Sequence, residues 1–254
     1  MSKPLILITN DDGITAKGIL SLIEAAKDLG EIVVVAPDKP QSGMGHAITV
    51  NNVLRLHSSK EFPGINAFSC SGTPVDCVKL AIYEVLKRKP DLVLSGINHG
   101  SNASTNVLYS GTMSAAVEGA LEGIPSIGFS LLDHDHDADF TASKNVVQKI
   151  SSTVIEKKMP ENICLNVNIP KGDGRFIKGI KVCRQARAFW DDKFDCRKDQ
   201  FGKDYYWLTG EFRNYDGGAD TDIWALENNY VSVVPIQFDM TAYHAIGQIN
   251  QLNL

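Results

Sequence analysis

LILITNDDGITAKG, residues 5–18, is an apolar run that stops at Asn10, presents two adjacent carboxylates, Asp11 and Asp12, and then reaches Gly13. A turn needs one Asp or Asn ahead of its glycine. Three acid or amide side chains in a row suggest a site as well as a turn. Residues 5–9 read as a short buried strand. Apolar positions 19, 22, 23, 26 and 29 then give helical spacing over 15–29, ending at Gly30. IVVVA at 32–36 follows, continuously apolar and β-branched, as a strand covered on both faces should be.

The same alternation continues along the chain. Shorter strands are predicted at 47–57 and 65–70, the first as part of a hairpin. Thr73 then caps a helix with Pro74 in its first turn and Asp76 facing the helix dipole. DLVL at 91–94 is the next strand, followed by a Gly/Asn/Ser loop and an Ala-rich helix over about 113–122. PSIGFSL, a helix over about 138–158 and NICLNVNIP complete the pattern. Strand and helix in alternation predict an α/β protein, Rossmann-like, with a mostly parallel sheet flanked by helices. From about 175 aromatic and charged residues mix, and 186–218 reads as a C-terminal β-rich excursion with no catalytic chemistry of its own. YVSVVPI at 230–236 reads as a strand returning to the main body. We expect 1–254 to form one domain.

The bulk composition narrows the function. The 254 residues are 43% hydrophobic and 22% charged with a net charge of −5, ordinary for a globular protein and unsuited to a nucleic acid polymer or an anionic membrane. No apolar run approaches the ~20 residues of a membrane-spanning helix. The five cysteines are scattered, without C-x-x-C, and read as reduced thiols of a cytoplasmic protein. There is no P-loop and no G-x-S-x-G elbow. DHDHD at 133–137 reads as a solvated loop, and His99 as a candidate acid beside the site.

Ligands of an open parallel sheet bind beyond the carboxyl ends of its strands. Asp11 and Asp12 follow the first strand. Ser42 follows IVVVA, and Asn98 and Asn102 follow DLVL. All are oxygen donors, and two adjacent carboxylates repel each other unless a cation neutralises them. Hard oxygen donors suit Mg²⁺ or Mn²⁺. On the same edge Ser110, Gly111 and Thr112 open the Ala-rich helix, where small side chains let an anion approach free backbone N–H groups. A divalent metal beside a phosphate subsite is a phosphoryl-transfer site in outline.

LITNDDGI, VVVAPDKPQSGMG, SGTPVDCV, DLVLSGINHGSN, YSGTMSAAVEGALEGIPSIGFSL, the TD at 221–222 and YVSVVPI occur in an order that resembles the SurE survival-protein family of metal-dependent 5'-nucleotidases and acid phosphatases. The resemblance implies hydrolysis of nucleoside 5'-monophosphates with one divalent cation per subunit. It implies Asp11, Asp12, Ser42 and Asn98 as metal ligands, and Asn102, Ser110, Gly111 and Thr112 as phosphate contacts. Asp11 would make the firmer metal bond, and Asp12 would orient or deprotonate the attacking water. The excursion over 186–218 would serve a homodimer or homotetramer. Alternatives at the same site are exopolyphosphatase or pyrophosphatase activity, direct attack by an Asp, and a nucleotide-binding regulatory protein without turnover. His46 and Met113 depart from the residues usual in the family.

Overall fold

The computed structural model describes residues 3–252. Its core is a nine-stranded sheet in the order β3-β4-β2-β1-β5-β6-β7-β11-β8. The strands are β1 (Leu5–Thr9), β2 (Glu31–Pro37), β3 (Leu56–Ser59), β4 (Asn66–Cys70), β5 (Leu92–His99), β6 (Ser126–Leu131), β7 (Ile163–Ile169), β8 (Gly179–Val182) and β11 (Tyr230–Gln237). The six strands β4, β2, β1, β5, β6 and β7 are parallel. β3 and β11 join antiparallel to β4 and β7.

β1 shows why this sequence becomes a central strand. Ile6 and Ile8 point into one layer with Ile19, Leu22 and Ile23 of α1 (Lys17–Ala26) and Val147 of α4 (Thr141–Lys157). Leu7 points into the other layer with Cys77 and Val78 of α2 (Pro74–Leu80) and Ala115 of α3 (Gly111–Leu121). Both faces are apolar because both are covered. From β1 the chain moves outward to β2 and β4 and returns beside β1 as β5. This puts the reversal of strand order, and with it a crevice, between the carboxyl ends of β1 and β5.

Several predicted elements shift. The α1 helix stops at Ala26. Of the strand expected over 47–57, only the end survives as β3. Before it, Thr49 bonds through backbone N–H and hydroxyl to the Asp76 carboxylate at 3.1 and 2.6 Å, holding the segment off the sheet. The same Asp76 closes a reciprocal cap with Thr73 at the start of α2. β5 runs to His99 and not to Leu94, with a register shift against β6 between Ser95 and Asn98. The irregularity re-aims Asn98 at the strand end. It needs a glycine: at Gly96, φ is +124° and a Cβ would lie 2.4 Å from the Phe129 carbonyl oxygen.

Two short helices, α5 (Asp222–Glu227) and α6 (Tyr243–Asn250), were not legible in the pattern. The β-rich excursion is a two-stranded ribbon of β9 (Ala188–Lys198) and β10 (Asp204–Asn214), paired antiparallel. All five cysteines are free thiols, four buried and Cys196 exposed. Among the described residues no helix is long and apolar enough to cross a membrane.

Candidate active site

The Asn10–Gly13 turn stands at the carboxyl end of β1. Asn10 shapes it, donating from Nδ2 to the Gly13 carbonyl at 2.8 Å. The Asp11 carbonyl accepts from the Gln41 N–H at 2.7 Å, which brings the loop carrying Ser42 against the turn. A cleft of about 450 Å³ opens there, lined by Asp11, Asp12, Ser42, Asn98, Asn102 and Ser110 among others. Six of the eight residues predicted for the site thus share one cleft. Gly111 and Thr112 stand behind Asp11.

Asp11 is buried, and the Thr112 hydroxyl donates to its Oδ1 at 2.5 Å. Burial first, then repulsion from Asp12, raises its pKa from 3.8 to about 6 against the opposing pull of Thr112. Asp12 is raised as well, chiefly by burial, with the His99 backbone N–H pulling the other way. Its Oδ2 is buried without a hydrogen-bond partner, and so is the Asn10 Oδ1. Asn98 donates from Nδ2 to the carbonyls of Gly100 and His99, at 2.9 and 3.3 Å, which leaves its Oδ1 as the available acceptor. Two charge-strained carboxylates, one with an orphaned oxygen, beside neutral oxygen donors fit a hard divalent cation. Among the described residues no three His, Cys, Asp or Glu gather into a metal cage, so neutral oxygens would have to complete any coordination.

The start of α3 is the second half of the site. The Ser110 Oγ accepts from the Met113 N–H at 3.0 Å as helix cap, so its own proton is free to point into the cleft. Gly111 is set by its neighbour: a Cβ there would lie 2.6 Å from the Asp11 Cβ and 3.0 Å from its Oδ2.

Asn102 is held by residues that sequence reasoning missed. Its N–H donates to Asn168 Oδ1, Asn168 Nδ2 donates to Asn166 Oδ1, and Asn166 Nδ2 donates back to the Asn102 carbonyl, each at 2.8 Å. The Asn102 side chain donates to Ser130 Oγ at 2.7 Å. Asn166 and Asn168 lie two apart on buried β7, which puts them on one face. Two amides at that spacing in NICLNVNIP were the available signal. Asn168→Ala leaves the Asn102 N–H and Asn166 Oδ1 unpaired inside the protein. The expected result is a Tm lower by roughly 2–8 °C and phosphate release reduced about tenfold or more, read by thermal melt and phosphate assay. Unchanged values in both would remove the ring from the site.

DHDHD is largely the solvated loop expected: 134–137 are exposed and Asp133 alone is buried. Lys171 binds Asp133 at 2.9 Å and Asp135 at 2.8 Å, and His134 lines the cleft. Its imidazole lies over Gly100, where a Cβ would be 2.1 Å away. His99 meets Phe140 edge-on at 5.1 Å, and burial lowers its pKa. A second cleft of about 730 Å³ opens on the other side of Asp12, His99 and His134. His46 binds Glu118 at 2.9 Å, away from the two carboxylates. Trp190 and Phe212, near the foot of the ribbon, line the same cleft as Asp11.

The family profile described as Survival protein SurE matches residues 6–192. The chain belongs to the SurE family. A protein of Flavobacterium psychrophilum named 5'-nucleotidase SurE is 62% identical over 255 residues, spanning 100% of this chain and 99% of its own. One of the same name from Flavobacterium johnsoniae is 63% identical over 253 residues, spanning 99% and 98%. The crystal structure of the SurE protein from Aquifex aeolicus superposes with a TM-score of 0.86 at 41% identity, covering 99% of this chain and 100% of that one. The Rossmann-like α/β fold is thus shared with that SurE protein.

Proposed function

We propose that this SurE-family chain is a divalent-metal-dependent 5'-nucleotidase, hydrolysing nucleoside 5'-monophosphates to nucleoside and phosphate. Relatives above 60% identity over the full length carry that name. The observation that carries the metal part is the pairing of buried, charge-strained Asp11 with the orphaned Oδ2 of Asp12 in one cleft.

Asp11, Asp12, Ser42 and Asn98 would hold a Mg²⁺ or Mn²⁺ ion, one per subunit. When bound, such an ion neutralises phosphate charge and makes water a better nucleophile. Asp12 orients the attacking water and takes its proton. Asn102, fixed by its asparagine ring, and the Ser110 hydroxyl hold phosphate oxygens, with the start of α3 favouring the anion. Gly111 gives room for Asp11, and the Thr112 hydroxyl fixes its orientation. Most of the rate enhancement in phosphoryl transfer comes from such positioning and charge stabilisation.

The test is a phosphate-release panel over nucleoside monophosphates, polyphosphate and p-nitrophenyl phosphate, with EDTA and then with Mg²⁺ or Mn²⁺ restored. Release from monophosphates that EDTA abolishes and metal restores is the expected result. No release under any metal would favour a regulatory binding protein, and release from polyphosphate alone would reassign the substrate.

We further propose that 1–254 acts as one domain, and that the ribbon around 186–218 joins copies of the chain into a homodimer or homotetramer. Phe194, Tyr206 and Leu208 on one face of it and Trp207 on the other are each more than half exposed, apolar surface poorly suited to a lone protomer. Light scattering should give a multiple of 27.7 kDa; a clean monomer would reject this. The five free thiols support a cytoplasmic setting.

A further inference from the structure

The cleft that holds Asp11 and Asp12 has a polar side and an aromatic side. The aromatic side is Trp190 and Phe212, directly paired across β9 and β10. Trp190 is 48% exposed, so it is not a core residue, yet it is fixed from two directions. The Phe212 ring meets it at 5.8 Å and 66°, and the indole Nε1–H donates to Asn106 Oδ1 at 3.1 Å.

The foot of the ribbon is pinned as firmly. The Ser104 hydroxyl lies 2.8 Å from the Ala186 carbonyl oxygen and 2.5 Å from that of Ala188, and its Oγ accepts from the Ala188 N–H at 3.1 Å. Asp222, fully buried, accepts from the Ser104 N–H at 2.7 Å and from the Ala186 N–H at 2.9 Å. One carboxylate therefore ties the loop that follows β5, bearing Asn102 and Asn106, to the start of the ribbon bearing Trp190. This gives the TD at 221–222 a structural purpose.

An indole held at a set distance from a phosphate-binding edge, with solvent beside it, is a surface for a flat ring. Base–aromatic stacking accepts any base, because every base has a π-face. A cleft of about 450 Å³ falls within the usual ~300–1,000 Å³ of small-ligand sites. We propose that Trp190, steadied by Phe212 and Asn106, is a specificity-determining residue that stacks on the nucleobase of a nucleotide whose phosphate sits at Asp11 and Asp12. This rests on the 5'-nucleotidase reading and deepens it. The class selected is any base-bearing 5'-phosphomonoester over a bare sugar phosphate.

The test compares AMP and UMP with ribose 5-phosphate, the same phosphomonoester without a base, each titrated as a competitor of p-nitrophenyl phosphate on the full-length protein with metal. Wild type is expected to prefer the nucleotides. Trp190→Ala should reduce that preference roughly 5- to 150-fold, the range for loss of one base–aromatic stack. The loss should fall on KM for AMP and not on kcat, and Trp190→Phe should recover most of it. Asn106→Ala, which frees the indole while leaving its ring, should give a smaller loss of the same kind and serves if Trp190→Ala does not fold. An unchanged AMP to ribose 5-phosphate ratio in folded Trp190→Ala, or in Asn106→Ala where Trp190→Ala does not fold, overturns the stacking role while leaving the nucleotidase reading intact. A changed oligomeric mass with an unchanged ratio also overturns it, assigning Trp190 to an interface. Wild type that neither binds nor hydrolyses nucleotides overturns both.

Discussion

Asp11→Asn should cut phosphate release on the order of 10³-fold and at the same time stabilise the metal-free protein. Asp11 is buried beside Asp12 with its pKa raised from 3.8 to about 6. The native state therefore holds a proton that the unfolded chain releases as pH rises between those values. Stability falls across that window and stays low above it. A shift of this size corresponds to about 3 kcal/mol at neutral pH, an upper figure because Asp12 contributes part of it. Asn keeps an acceptor for the Thr112 hydroxyl without the buried charge. In EDTA at pH 7.5 the variant should melt above wild type, and the gap should close toward pH 4. Adding Mn²⁺ should raise the wild-type melting temperature and leave the variant nearly unmoved. Near-normal turnover in the variant, or an equal Mn²⁺ response, would remove Asp11 from the metal site.

The sheet was readable because its strands are buried on both faces. A five-residue strand such as β1 has no room to be anything else when Ile6, Leu7 and Ile8 are all apolar. Strand-end logic then gathered Asp11, Asp12, Ser42, Asn98, Asn102 and Ser110, which need only parallel neighbours to share an edge. What stayed hidden depends on contacts between segments far apart in the chain. Asp222 meets Ser104 across 118 residues, and Asn168 meets Asn102 across 66. No local pattern marks such partners. Trp190 was visible as an aromatic in a charged strand, but the rule that exposed aromatics mark contact between chains pointed it outward. Its ribbon is rooted by Asp222 against the site, so the first part of the strand faces the cleft. The charge of DHDHD marks a solvated loop, and 134–137 are exposed; what it does not mark is the path of that loop, in which Lys171 pairs with Asp133 and Asp135 and His134 lies over Gly100.

Gly111→Ala should separate folding from function more cleanly than any carboxylate variant. Gly111 opens α3, and alanine is the better helix former by up to about 1 kcal/mol, so helix propensity favours the variant. The obstacle is one contact. The added methyl would sit 2.6 Å from the Asp11 Cβ and 3.2 Å from its Cγ, closer than unstrained carbons approach. Asp11 cannot retreat, because its backbone lies at the end of β1, paired on both sides by β2 and β5. Turning the carboxylate leaves the Cβ contact in place, so the start of α3 must move back, stretching the 2.5 Å bond from Thr112 and drawing the Asp11 carboxylate out of the position shared with Asp12. The expected outcome is a melting temperature within a few degrees of wild type and phosphate release down about 10²-fold or more, since displacement of a catalytic group by an ångström has that effect. Raising Mn²⁺ should recover part of the loss if the displaced carboxylate mainly weakens metal binding. Gly217→Ala, where an added Cβ meets nothing within 4 Å, controls for the extra methyl and should behave as wild type. If Gly111→Ala also behaves as wild type, Asp11 has more freedom than its burial implies, and the fixed pairing of α3 with the Asn10–Gly13 turn would not be the source of activity.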